Sequence, residues 1–374
     1  MKTHQLQGIR GVAALLVAIG HCLGLFRTPA WFVHLKNYSN GHAAVVMFFL
    51  LSGFVLTYSL KKAAINSRDF YIKRLFRIYP AWVVGCTISL LYLLFVHYRY
   101  PILNGGDWWA ARFQAARFRP LYIAASYTGA LAFLLPQGWT IFVEVVASLL
   151  MPFIAYGVLR RRTLFHAALG LALLLSLTIG SRTYYGLLSY LVDFLLGAWL
   201  AAPPLLLIKA VKRTEPWTIV GLISALVVLI AFRNVFPAPG DELSLAAYNS
   251  GPLQCVEAIC CFWILAVVIH GGRPLRFLNL KPLSWLGEIS FSFYLIHVPI
   301  MCLLATVIST LKIDTVSLSF VLLFLTIPIS LALSTLMYGY VERPGIALGQ
   351  RVLAKINAAA RPGDQLVFDP PASR

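Results

Sequence analysis

The stretch "LQGIRGVAALLVAIGHC", residues 6–22, sets the class of this chain. Its apolar run suits a helix crossing the ~30 Å hydrocarbon core of a bilayer, yet it carries Arg10 and His21. Ionisable side chains at such depth are expensive and face a protein interior or a wet cavity rather than lipid. The two stand 11 residues apart, which returns them to nearly one helix face about 16 Å apart along the axis. Between them on that face lie Ala13, Ala14, Val17 and Ala18, mostly small, leaving room for close packing or a groove. From this helix alone two readings stand. Either Arg10 anchors the helix at its charged boundary and His21 is a hydrogen-bonded core residue, or both mark a functional path.

Outward from this stretch the apolar pattern repeats. Of 374 residues 60% are hydrophobic and only 12% charged, far from an ordinary soluble composition. Spans are expected at 7–27, 43–60, 78–97, 139–158, 163–180, 184–201, 217–232, 252–270, 285–310 and 317–340. The fold class is therefore an all-α, polytopic membrane protein with about ten transmembrane helices. Lys and Arg collect in cytoplasmic loops. Placing both termini in the cytoplasm puts most of the 31 basic residues on that side, including Lys61, Lys62, Arg68 and the run Arg160, Arg161 and Arg162. The expected organisation is one transmembrane domain over 1–345 and a mobile cytoplasmic tail over 346–374, in a bacterial inner membrane. No internal repeat is apparent, and the first apolar segment lacks an A-x-A cleavage site, so it reads as a retained span.

The stretch 98–138 is different. "LYIAASYTGALAFLL" is short for a span and is bounded by Pro120 and Pro136, which suits a re-entrant or interfacial segment. Before it, "DWWAARFQAARF" reads as a helix lying in the interface, with Asp107 as its N-cap. The formal charge of +18 does not indicate nucleic acid, because the cations follow the loops instead of forming one patch. The six cysteines lie in apolar spans without a C-x-x-C pair, so neither a disulfide framework nor a metal site is expected.

Further polar groups lie at membrane depth. Glu144, five residues into "WTIFVEVV", falls by counting at the level of His21, where the two could form a proton-transfer pair or an ion pair that only orients helices. Ser290, Tyr294 and His297 at i, i+4 and i+7 form a stripe that lines a cavity or bonds between helices. Asp193 and Glu257 have no motif to assign them a task, and Glu288 points away from His297. Lys73, Arg74 and Arg77 share one side of a turn just before a span, which suits an anionic ligand such as nucleotide phosphates. Juxtamembrane positive charge also occurs without a ligand, and no P-loop accompanies it.

Taken in order, "GIRGVAALLVAIGH", "VVMFFLLSGFVL", "YIKRLFRIYP", "GWTIFVEV", "ISFSFYLIHVPI" and "YGYVERP" resemble the acyltransferase-3 family of integral membrane acyltransferases. The first three blocks are the specific ones. The resemblance implies a ten-helix core that moves an acyl group, often acetyl, from cytoplasmic acyl-CoA to a hydroxyl of an exported glycan or lipid-linked saccharide. Acyl-CoA enters as a co-substrate, with no tightly bound cofactor and no metal; the other partners are the acceptor and membrane lipid. By the same resemblance His21 matches the catalytic histidine and Arg10 its companion, and Lys73, Arg74 and Arg77 match the basic motif, with Lys73 where an arginine is commoner. Ser52 and Gly53 fall in the "FFLLSGF" block, and Glu144 is the expected carboxylate for His21. Val46 stands where many members carry an acid, which leaves His42 as a polar substitute. His21 would act as general base or as transient acyl carrier. A proton-coupled transporter using the same membrane His and Glu residues is the competing class.

Overall fold

The computed structural model describes residues 3–63, 66–106, 109, 118–212, 216–236, 251–271 and 275–359. Among them the fold is helical, with one isolated antiparallel bridge between Phe26 and Gly105. In chain order the helices are α1 (Thr3–Leu23), α2 (Ala30–Asn37), α3 (Gly41–Lys62), α4 (Ser67–Tyr92) and α5 (Pro120–Tyr127). Then follow α6 (Trp139–Arg160), α7 (Arg162–Ile179), α8 (Leu187–Leu200), α9 (Leu205–Lys212) and α10 (Pro216–Val235). The last four are α11 (Pro252–Ala266), α12 (Lys281–Ile308), α13 (Thr315–Met337) and α14 (Arg343–Ala359). Among the described residues nine helices are long and apolar enough to cross a membrane, or ten if α8 and α9, bent by 85°, count together. The ten expected spans fall on these elements, and the chain is a multi-pass membrane protein.

Local chemistry starts and bends the helices. Asn40 caps α3 by accepting from the Ala43 N–H, and Asn66 caps α4 by accepting from Asp69. Pro252 and Pro282 sit in first turns, where a missing N–H leaves no gap. Inside α12, Pro299 cannot donate to the Leu295 carbonyl. Gln137 supplies the missing donor, its Nε2 lying 3.0 Å from that oxygen and 3.2 Å from the Tyr294 carbonyl.

α1 lies inside the bundle, packed on α3, α12 and α13. Two crossings bring backbones into contact. At α1–α12 a Cβ on Gly287 would strike the Gln7 carbonyl, and at α3–α8 one on Gly53 would strike the carbonyl of Phe194. Small residues permit such approach, and van der Waals packing is what joins helices in lipid. Gly11 packs on Gly287 and His21 on His297, so α1 and α12 run in the same direction.

The expectation for 98–138 holds among its described residues: they contain no span, α5 has eight residues, and residues 133–138 fold back into the interior, all but Gln137 and Gly138 apolar and all of them buried. The interfacial helix expected around Asp107 lies outside the described residues, apart from Trp109 and Phe118. The segment 346–359, expected to begin a mobile tail, is helical. Gly345 and Gly349 fit against Pro80 and Phe76 of α4, and Arg68 donates to Asn357 at 2.5 Å. A run of 44 residues from Thr315 to Ala358 exceeds what ~30 Å of hydrocarbon covers at ~1.5 Å per residue, so α14 extends past the apolar layer. Residues 360–374 lie outside the described residues.

Candidate active site

A cavity of about 190 Å³ opens between α1, α3, α4, α6 and α12. Its polar lining is Arg10, Ser52, Arg74, Arg77, Thr140, Glu144, Ser290 and Tyr294. Each arrives there for a local reason. Arg74 and Arg77 are i, i+3 on α4 and share a face, whereas Lys73, expected beside them, is exposed and does not line the cavity. Ser52 reaches the cavity because Gly53, next in sequence, lets α3 press its other side on α8.

The charges are partly paired. Arg74 Nη2 donates to Glu144 Oε1 at 2.6 Å, and its Nε to Ser148 at 3.1 Å. Arg77 Nη1 lies 2.5 Å from Glu342 Oε1, and Ser292 donates to the other oxygen of Glu342 at 2.6 Å. Arg10 donates to Gln7 at 3.3 Å, and among the described residues no carboxylate is within ion-pair distance of it. Three guanidiniums against two carboxylates leave the cavity with surplus positive charge, which favours an anion.

The far end of the cavity is Tyr294, whose hydroxyl donates to the Gln137 carbonyl at 3.1 Å and lies 3.0 Å from Thr140 Oγ1. Its ring stands 5.8 Å from that of His297, and Nε2 of His297 is 2.9 Å from Nδ1 of His21. Trp109 meets the His21 ring edge-on at 5.5 Å. The stripe Ser290, Tyr294, His297 thus runs from the cavity to His21.

Two expected partnerships fail. Glu144 does not meet His21, because α6 begins inside the protein after the buried turn at 133–138; Glu144, its sixth residue, lies deeper than counting from a membrane surface places it. His42 does not support His21 either. Its Nδ1 lies 2.5 Å from Glu257 and its Nε2 2.8 Å from the Tyr190 hydroxyl. Arg233 is buried and donates twice to Glu257, each at 2.8 Å. Sequence reasoning also missed Glu342, although it lies in the quoted block "YGYVERP", and Ser292 and Gln137. Glu288 is exposed, as expected. Among the described residues no group of three or more His, Cys, Asp or Glu is placed to hold a metal.

Membrane helices framing an arginine-lined cavity beneath a histidine pair define an integral membrane protein with a polar site at depth. The chain belongs to the acyltransferase-3 family, whose model, described as an acyltransferase domain, matches residues 3–337. It is similar to the O-acetyltransferase OatA of Staphylococcus aureus (strain NCTC 8325 / PS 47), 27% identical over 319 residues, or 79% of this chain and 50% of that protein. It is also similar to the peptidoglycan O-acetyltransferase OatA of Listeria monocytogenes, 27% identical over 76% of this chain and 49% of that protein. A third relative, "Protein 2 in picA locus" of Rhizobium radiobacter, is 29% identical over 38% of this chain and 77% of its own. The chain spans about half the length of the OatA relatives. No solved structure matches.

Proposed function

We propose that the chain is a membrane-bound O-acyltransferase that moves an acyl group, acetyl by the names of its relatives, from acyl-CoA to a hydroxyl of a cell-wall or other exported glycan. The observation that carries this reading is a cationic cavity and a histidine on one helix, with Arg10 lining the cavity and His21 about 16 Å further along α1. That separation is comparable to an extended pantetheine arm. Arg10, Arg74 and Arg77 would take the phosphates, Arg10 being the guanidinium with no carboxylate to displace among the described residues. The basic helix ends, with Lys61, Lys62, Arg160 and Lys281, would then face the cytoplasm, where acyl-CoA resides.

His21 acts as general base on the acceptor hydroxyl, which approaches from the end of the bundle nearer Trp109. The hydroxyl oxygen bonds the thioester carbonyl carbon, the C–S bond breaks, and the proton passes through His21 to the leaving sulfur. Base catalysis of this kind contributes about 10²–10⁴-fold. The break between α8 and α9 contributes no residue to this cavity, so it lends no support to a transporter built on discontinuous helices.

The test uses the full chain in lipid nanodiscs, supplied with acetyl-CoA and peptidoglycan fragments. Acceptor-dependent release of CoA, lost in His21→Ala with CoA binding retained, is the expected result. Glycan uptake into liposomes without thioester cleavage would overturn it in favour of transport. Acetyl label on the protein in the absence of acceptor would replace the direct route with an acyl-histidine.

A further inference from the structure

The hydrogen bonds of the histidine pair determine which nitrogen of His21 reacts. A backbone carbonyl can only accept, so Nδ1 of His297, 3.1 Å from the Phe293 oxygen, is the N–H. His297 is fully buried, with its ring against those of Phe293 and Tyr294 and no carboxylate within ion-pair distance among the described residues. A buried charge needs such a partner, so the ring is neutral and its Nε2 is an acceptor. That acceptor lies 2.9 Å from Nδ1 of His21, with the rings within 10° of parallel. Nδ1 of His21 is therefore the donor, and the lone pair of His21 stands on Nε2. Turning either ring over would set a C–H where a nitrogen now bonds.

We propose that His297 is a positioning residue that fixes the tautomer of His21, so that Nε2 of His21 is the nitrogen that takes the acceptor proton. This rests on the acyltransferase reading and adds to it the identity of the reacting atom and the group that sets it. In the step, Nε2 of His21 takes the hydroxyl proton while the oxygen bonds the thioester carbon. The sulfur then leaves with the C–S electron pair and receives that proton from Nε2. His297 exchanges no proton; its Nε2 lone pair stabilises the transient imidazolium through the Nδ1–H of His21. A carboxylate commonly fills this place in hydrolases. Here a second imidazole, itself oriented by a helix carbonyl, does so without adding a fixed negative charge near the acceptor path.

The experiment has a catalytic and a spectroscopic arm, both on the full chain in nanodiscs. His297→Leu removes the acceptor, and His297→Gln restores an amide oxygen near the former Nε2. Misplacement of a catalytic group by about 1 Å costs about 100-fold. The expected result is a kcat for acetyl transfer lowered about tenfold to a hundredfold in His297→Leu, with KM for acetyl-CoA within about twofold, and most of the rate recovered in His297→Gln. In the second arm, ¹⁵N spectra of ring-labelled histidine, with His21 assigned by its loss in His21→Gln, should show wild-type His21 protonated at Nδ1. His297→Leu should lose that preference. An unchanged kcat in His297→Leu, no recovery in a folded His297→Gln, or wild-type His21 protonated at Nε2 would each overturn the inference. Absence of any acetyl-CoA-dependent transfer in the wild type would instead overturn the function, while the spectrum would still decide the tautomer.

Discussion

Arg77 of α4 and Glu342, in the π-helical segment that carries α13 into α14, hold each other at 2.5 Å, and the glutamate is fully buried. Removing one member of a buried pair costs roughly 3–5 kcal/mol, because the other is left uncompensated. Arg77 retains access to the cavity, so Glu342→Ala should fall at about 3 kcal/mol. Thermal unfolding in detergent checks this; an unshifted midpoint would mean that the pair holds nothing together.

Arg10 is the cavity guanidinium without a carboxylate among the described residues. Hydrogen bonds to charged groups contribute about 1.5–3 kcal/mol, so Arg10→Gln should weaken CoA binding about 10- to 100-fold. Arg10→Lys should recover only part, since a point charge cannot replace a planar fork. Isothermal titration of CoA into nanodiscs measures both, and equal affinities for wild type and Arg10→Gln would remove Arg10 from the binding site.

The cluster of His42, Glu257, Arg233 and Tyr190 ties α3, α8, α10 and α11 together away from the cavity. His42→Ala should lower the unfolding temperature while acetyl transfer per folded molecule stays near wild type. A large fall in kcat with unchanged stability would return His42 to the reacting centre.

Asp314 caps α13, accepting from the Ser317 hydroxyl at 2.6 Å and from the Val316 and Ser317 N–H groups at 3.0 Å. The Ser317 side chain and then its backbone N–H hold this exposed carboxyl below the ordinary aspartate value. A folded value below the unfolded ~3.9 means that the cap is intact at neutral pH and weakens as pH falls below that value. Hydrogen exchange at Val316 and Ser317 should show the first turn fraying in acid, and Asp314→Asn should remove the pH dependence.

How much of this was legible in the sequence follows the physics of each signal. Spans are read from apolar length, a property local to each segment, and the ten placed from sequence fall on the helices. Arg10 and Arg74 follow from periodicity on single helices, as does the Ser290–Tyr294–His297 stripe. Partnerships between helices do not, because depth depends on where a helix starts. Glu144 would share the level of His21 only if α6 started at a membrane surface, and it starts after the buried turn at 133–138 instead. Arg233 resembled any loop arginine until α10 and α11 placed it on Glu257. His297 was visible as a polar residue, but its bond to His21 depends on α1 and α12 running parallel, a matter of tertiary register.

Gln137 links the order in which this chain is built to its chemistry. The amide that completes the Leu295 carbonyl comes from a segment synthesised far ahead of α12, and the carbonyl it completes is two residues from His297. The carbonyl that Pro299 leaves without its helical donor is thus completed by a residue from the earlier half of the chain. An inherited change at residue 137 would reach the histidine pair with no part in the reaction itself.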